Sequence, residues 1–395
     1  MKYAADIAIF GGGVAGLWLL TQLRRIGYSV LLIETKRLGE GQTGAAQGIL
    51  HGGMKYALDG LFSDAAQALT AMPARWRQAL DGDGNEDTPD LSGVTIVAHQ
   101  QLLWSITSTL PTRLLQQVAK RLLHGAMQPL DRADYPAPFD RHPPAALFRL
   151  HEQVIDPHSL IARLAALNPG RILTGQPVTA LQRDAQGVTF QRAGEHYRVR
   201  RLLLAAGAGN RDLLAALQEQ QPTMQLRPLQ MVLLSGGALP PLFGHCLGAT
   251  NLPRLTVTSH LTSSGERLWY LGGELAEQGV GRTPDTQIRI AKALLHELLP
   301  GVADLPGLRW RTLPIARAEA SNPGAIRPNG VKLYDAGTIL TVWPTKLVLA
   351  PALGDAVSAC LRQQPFQPEI AEQPLAAAAH PPQLAPPPWE RLLHG

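Results

Sequence analysis

Six residues near the start of the chain, Gly11-Gly12-Gly13-Val14-Ala15-Gly16, follow the spacing G-x-G-x-x-G, and a carboxylate, Glu34, stands further on. In that spacing the first glycine allows a tight turn and the second lets a pyrophosphate approach the backbone. The third lets a helix pack on its strand. Glu34 stands about 20 residues along, where a carboxylate can bind the ribose hydroxyls of an adenosine. Other residues carry different chemistry. His51 and His260 are imidazoles, whose neutral form near pH 7 suits proton abstraction. Arg282 and Arg317 carry guanidinium groups that can clamp a carboxylate bidentately. Lys346 is a potential fixed cation. Each has an ordinary alternative: a surface arginine or lysine, or a histidine packed in a strand or loop.

A dinucleotide site needs a strand, a turn, a helix and a second strand in that order. Ala5-Asp6-Ile7-Ala8-Ile9-Phe10 is an apolar run. Leu17 to Ile26 has helical character, Gly27 stops it, and Tyr28 to Ile33 is a second apolar run ending in Glu34. The helix start offers N–H groups and a partial positive charge to phosphates. Further on, an amphipathic helix is expected near Ser63 to Leu80 and strand character from Gly93 to Thr107. A helix is expected around Pro111 to Leu123, and Pro136 to Pro144 reads as irregular. Asp156-Pro157 opens a helix to Leu167, where a proline in the first turn costs no hydrogen bond. Arg201 to Ala206 reads as a strand running into Gly207-Ala208-Gly209. Met224 to Ser235 and Arg254 to Gly273 are strand-rich, and Thr286 to Leu299 is helical. Gly337 to Trp343 is a strand and Leu347 to Leu361 a helix. From about Gln363 proline and alanine dominate. That stretch reads as an extended or loosely attached tail, in which Trp389 and Leu392 are candidates for meeting a partner.

Bulk composition narrows the class. The chain has 395 residues, enough for two packed domains, with 45% hydrophobic and 17% charged residues. The formal charge is +5 and the pI about 9.4, from scattered arginines. This is either a mildly basic surface or a field favouring an anionic ligand. No basic run with interleaved aromatics points to nucleic acid. Cys246 and Cys360 lie far apart, so neither a zinc site nor a disulfide framework is visible, which suits a reducing cytoplasm. No signal peptide and no membrane span are expected.

Five separated stretches together resemble the FAD-dependent oxidoreductases of the D-amino-acid oxidase, glycerol-3-phosphate dehydrogenase and 2-hydroxyglutarate dehydrogenase group. They are GGGVAG with Glu34, GQTGAAQGILHGGMKY (41–56), VIDPHSLIARL (154–164), LLLAAGAGN (202–210) and VWPTKLVLAPALGDAV (342–357). The resemblance covers most of residues 5 to 362. It implies FAD as cofactor, held by Gly11, Gly13, Val14, Ala15, Gly16, Glu34, Thr35 and Lys36 at the adenosine end. Thr43, Ala46, Gln47, Gly48, Leu50 and His51 would form the flavin loop. Val178, Ala206 and Gly207 would close over the cofactor, with Lys346, Leu347 and Val348 at the flavin edge. A cation or helix start there stabilises the reduced, more negative flavin. Relatives of the amino-acid oxidase type commonly have glycine at the position of Lys346. Within this group His51 is a packed loop residue, a catalytic or substrate-orienting imidazole, or a covalent attachment point. The loop most resembles relatives that hold flavin without a bond. Arg282 and Arg317 lie where relatives often place an anion-binding arginine.

The expected fold is α/β, with a doubly wound, Rossmann-like FAD-binding domain and a second α+β substrate domain on a mostly antiparallel sheet. The FAD domain is expected from 1–80, 145–210 and 318–364 and the substrate domain from 81–144 and 211–317, with 365–395 as tail. The expected function is removal of hydride from a C–H bearing OH or NH of a small, anionic substrate. A 2-hydroxy acid, an amino acid or a polyol phosphate would serve, with oxygen or a quinone as electron acceptor. No second glycine fingerprint follows, so no separate NAD(P)H domain is expected. The alternatives are an aromatic-ring monooxygenase, for which Gly354-Asp355 would have to serve, and a flavin-binding protein without catalysis.

Overall fold

A computed structural model describes residues 3–52, 64–84, 88–107, 127–248, 252–322, 330–375 and 381–393. The helix expected around Pro111 to Leu123, and the loop from Gly53 to Tyr56, lie outside the described residues.

The chain opens with β1 (Tyr3–Phe10), α1 (Val14–Arg25) and β2 (Val30–Glu34). β1 pairs in parallel with β2 on one side and with Glu195–Leu204 on the other. The strands Ile172–Thr174 and Ile339–Trp343 extend this parallel sheet at its two sides. Both faces of these strands are buried, which is why β1 and β2 read as unbroken apolar runs. On one face α1, the helices Pro157–Ala166 and Ala350–Gln363, and Trp76 of Asp64–Leu80 bury a shared core. On the other face lie the strands Val178–Asp184 and Gly187–Arg192 and the helix Asn210–Ala216.

A second sheet of eight strands forms a roof. Its order runs from Arg309–Ala320 through Met224–Ser235, Arg267–Gly272, Leu255–Leu261 and Gly244–Cys246 to Gln101–Ser105, Ala146–Leu150 and Met127–Pro129. All its pairings are antiparallel except that of Gly244–Cys246 with Gln101–Ser105. One face packs on the helix Pro284–Leu298 through Val257, Trp269, Val232 and Leu234. The alternate residues, among them Thr256, Thr258, His260, Tyr270, Met231 and Leu233, point to the opposite face. Ala146–Leu150 belongs to this roof, which moves it out of the FAD-side segment expected to start at residue 145.

The C-terminal segment is extended but tied down, contrary to the loose tail expected from its composition. Leu38 and Leu384 form a parallel bridge, with Leu38 N–H donating to the Gln383 carbonyl and Ala385 N–H to that of Leu38. Arg24 pairs with Glu372, and Arg200 with Glu369. The segment ends in a short helix, Pro388–Leu393, whose Trp389 is buried on the roof. Among the described residues no helix is long and apolar enough to cross a membrane.

Candidate active site

The glycine turn is pressed into place by close packing. A Cβ on Gly16 would overlap the Gly11 carbonyl oxygen, so the helix can lie on its strand only as glycine. Gly11 has φ +121°, and a Cβ there would stand 2.5 Å from the Ala205 carbonyl oxygen and 2.7 Å from the Ala206 Cα. The turn therefore touches the segment carrying Ala206 and Gly207. Gly13 caps α1 without a side chain, and the Val14 N–H donates to Thr43 Oγ1 at 3.1 Å. Glu34 accepts from the Gly12 N–H and the Lys36 N–H, both at 2.9 Å, so Thr35 and Lys36 turn around its carboxylate. Val178 stands half-buried against the outer core of the parallel sheet. A helix start capped by glycine, a turn with no room for a Cβ at Gly11 or Gly16 and a carboxylate at the end of β2 fit the pyrophosphate and ribose of a dinucleotide.

The loop after Gln42 crosses the roof strand by strand. Gln42 Oε1 accepts from the Ala318 N–H at 2.8 Å. Tyr270 OH donates to the Ala45 carbonyl at 3.1 Å. The Gln47 amide donates to the Tyr270 carbonyl at 3.0 Å and lies 3.4 Å from Thr258 Oγ1. Gly272 allows this approach, because a Cβ there would meet Gln47 Oε1 at 2.9 Å. Two residues after Ala46, Gly48 adopts φ +73°, and the loop pairs antiparallel with 153–155. Leu50 is buried in the main core. The loop ends at His51, whose ring lies 5.4 Å from that of His245. His245 Nδ1 is 2.9 Å from Thr256 Oγ1. His51 Nδ1 is 3.7 Å from Glu152 Oε2, with His51 46% exposed and the Glu152 side chain 9%.

His260 lies on the same roof face but is covered. Its ring lies 4.4 Å from that of Trp389, tilted by 33°, and its Nε2 is 3.1 Å from Thr258 Oγ1. Burial pushes its pKa down to about 4, so the ring is neutral at pH 7. Burial also raises the pKa of Tyr270, which remains a hydrogen-bond donor.

Arg317 stands directly across from Arg227 on the two outermost roof strands, in register with Leu229–Ile315 and Met231–Leu313. The Arg317 guanidinium is 3.0 Å from Glu277 Oε1, while Arg227 holds Glu319 at 3.0 and 3.2 Å. Arg282 is engaged elsewhere. It donates to Gln287 Oε1 at 3.0 Å, and that buried amide anchors the start of the helix Pro284–Leu298 to the Leu275 and Gln230 carbonyls. Lys346, half-buried, precedes a single 3₁₀ turn of Leu347, Val348 and Leu349, and Thr345 before it has φ +61°. Thus His51, Gln47 and the roof face are brought together, with Arg317 at its outer edge and Arg282 beside the helix on the far side. Glu152, His245 and Thr256 were not singled out from sequence. The apolar pairs Ile49-Leu50 and Val154-Ile155, flanking His51 and Glu152, are the signal that could have paired them.

Residues 6–335 match the DAO family, FAD dependent oxidoreductase. A probable FAD-dependent oxidoreductase of Pseudomonas aeruginosa is 40% identical over 389 residues, 98% of each chain. The crystal structure of an FAD dependent oxidoreductase from Pseudomonas aeruginosa has a TM-score of 0.84 at 38% identity, covering 100% of this chain and 99% of the other. An L-alpha-glycerophosphate oxidase from Mycoplasma pneumoniae with FAD bound has a TM-score of 0.64 at 15% identity, over 95% and 98% of the chains. Glycine oxidase from Geobacillus kaustophilus has a TM-score of 0.64 at 16% identity, over 94% and 97%. The chain belongs to the DAO family of FAD-dependent oxidoreductases.

Proposed function

We propose that this oxidoreductase removes hydride from a C–H bond bearing OH or NH on a small, anionic substrate. The observation that supports this most is the His51–His245 pair at the seam between loop and roof, with His51 half exposed. Bound FAD supplies the two-electron acceptor. His51 takes the proton of the O–H or N–H group as the C–H bond breaks. An entering carboxylate or phosphate competes with Glu277 for the Arg317 guanidinium. Lys346 adds a cation at the flavin edge. The electrons leave to oxygen or a quinone. Glycine oxidase and glycerophosphate oxidase, by their names, act on one amino acid and one polyol phosphate, each of which carries a carboxylate or a phosphate group.

The test is an anaerobic screen of 2-hydroxy acids, amino acids and polyol phosphates for bleaching of the bound flavin. One class should bleach it in the wild type, with a loss of at least about tenfold in rate in His51→Asn. Bleaching by NADPH alone would favour the monooxygenase reading. No bleaching by any of these would leave a flavin-binding protein without this chemistry.

A further inference from the structure

We infer that Glu152 is a positioning residue for His51, holding the imidazole as its Nδ1–H tautomer so that Nε2 is left bare to take the substrate proton. This rests on the proposed role of His51 and adds to it a residue 101 positions away in the chain.

The pairing follows from backbone register. Ile49 bridges Val154, the Ile155 N–H donates to the Gly48 carbonyl at 3.0 Å, and the Leu50 N–H donates to the Gln153 carbonyl at 3.0 Å. Continuing that antiparallel count sets His51 opposite Glu152. Directly opposed residues share a face and bring their Cβ atoms close.

The carboxylate is oriented from behind. Its Oε1 accepts the Gly52 N–H at 2.6 Å, an approach that a side chain on Gly52 would crowd, since a Cβ there meets Glu152 Oε1 at 3.0 Å and Pro73 Cγ at 3.1 Å. With Oε1 held, Oε2 is the oxygen left for His51 Nδ1, at 3.7 Å, and for the Gln101 amide, at 3.5 Å. A small turn of the ring closes the first distance to a hydrogen bond. Among the described residues His245, its ring tilted 31° to that of His51, and Gln101 also stand at this carboxylate–imidazole pair. The sheltered acid and exposed imidazole form a graded pair: Glu152 faces the protein and His51 faces outward. A carboxylate can only accept, so a neutral imidazole beside it must present its proton at Nδ1.

The tautomer can be read without a substrate. In the FAD-loaded, ¹⁵N-histidine-labelled protein at about pH 8.5, where histidine is neutral, long-range proton–nitrogen spectra distinguish the two ring forms. His51 is assigned by the signal missing in His51→Asn. The wild type should show Nδ1 protonated and Nε2 bare. In Glu152→Gln the amide oxygen keeps the Gly52 bond, and its NH₂ faces His51. Nδ1 must then accept, so the tautomer should invert to Nε2–H. Gln101 can flip to receive the new donor, because its Oε1 has no partner among the described residues. An Nε2–H tautomer in the wild type overturns the inference, as does an Nδ1–H tautomer that persists in Glu152→Gln. If Glu152→Gln loses its flavin or fold, the wild-type tautomer alone decides. A substrate screen without bleaching, beside an Nδ1–H wild type that inverts, would instead remove the proposed reaction and leave the pairing standing.

Discussion

The indole of Trp389 lies 4.4 Å from the imidazole of His260, tilted by 33°, and edge-on to Tyr270 at 5.9 Å. The helix Pro388–Leu393 thus seals one end of the roof face that the loop after Gln42 crosses. Glu390 fixes it there by accepting from the Ser263 N–H and hydroxyl, both at 2.8 Å.

Removing this seal should be costly. Trp389 is 2% exposed and packs among Met231, Leu233 and Leu268. Trp389→Ala should destabilise the FAD-loaded protein by about 3–5 kcal/mol, read from urea unfolding. It should also open His260 to diethyl pyrocarbonate, adding one reactive histidine to the wild-type count. A wild-type His260 that already reacts would contradict the seal.

The covered imidazole gives a signed pH effect. In the folded protein burial lowers its pKa to about 4, against an ordinary 6.5. Between these values the unfolded chain binds a proton that the folded one does not, so stability falls as pH falls through that window. The contribution is fully present above about 6.5 and lost below about 4, for a total of about 3 kcal/mol. His260→Gln should flatten the pH dependence between 4.5 and 6.5 relative to wild type. Asp90, Asp184, Glu297 and Glu372, whose hydrogen-bonded carboxylates are held below their usual range, are common to both proteins and cancel. Parallel curves for the two proteins would show that His260 is not the linked group.

The glycine turn and Glu34 were legible because each demand there is local. A missing Cβ or a carboxylate at a strand end leaves a mark at one position. The helix start at Asp156-Pro157 was legible for the same reason, whereas the helix expected from Thr286 begins at Pro284 behind its Thr283 cap. The His51–Glu152 pair was not, because it depends on a backbone register between segments far apart, and Glu152 is one of 31 acids. The strand Arg309–Ala320 escaped notice because arginines interrupt its apolar residues. They carry no strand signal until Arg227 and the neighbouring strand are in place. The tail misled for a related reason: proline and alanine describe its extended backbone correctly, but its anchors on Leu38, Arg24 and Arg200 are all long-range.

Gly13 offers a test of the cofactor cradle that separates space from turn geometry. A Cβ there would stand 2.9 Å from Thr43 Oγ1, the atom that accepts the Val14 N–H. Gly13→Val should displace Thr43 and intrude on the pyrophosphate, lowering FAD affinity by at least about tenfold, or about 1.4 kcal/mol. Gly41→Ala is the control, since a Cβ at Gly41 meets nothing within 4 Å. Flavin absorbance per protein after desalting reads both. Equal retention in the two variants would remove Gly13 from the cradle.

Lys346 stands between two backbone constraints. Thr345 is held in the left-handed region, with its hydroxyl donating to the Gly330 carbonyl at 3.1 Å, and the Lys346 carbonyl accepts from the Leu349 N–H to start the 3₁₀ turn. Holding a non-glycine residue there costs about 1 kcal/mol or more, and such strain clusters at active sites and ligand clamps. As the proposed cation at the flavin edge, Lys346 would favour the reduced, more negative form. Lys346→Met should therefore lower the flavin reduction potential by the equivalent of about 1–3 kcal/mol, with a smaller effect on FAD affinity. The potential is measured against a dye of known midpoint during slow enzymatic reduction, and affinity by flavin fluorescence. An unchanged potential with normal FAD binding would make Lys346 a loop residue that serves only the turn.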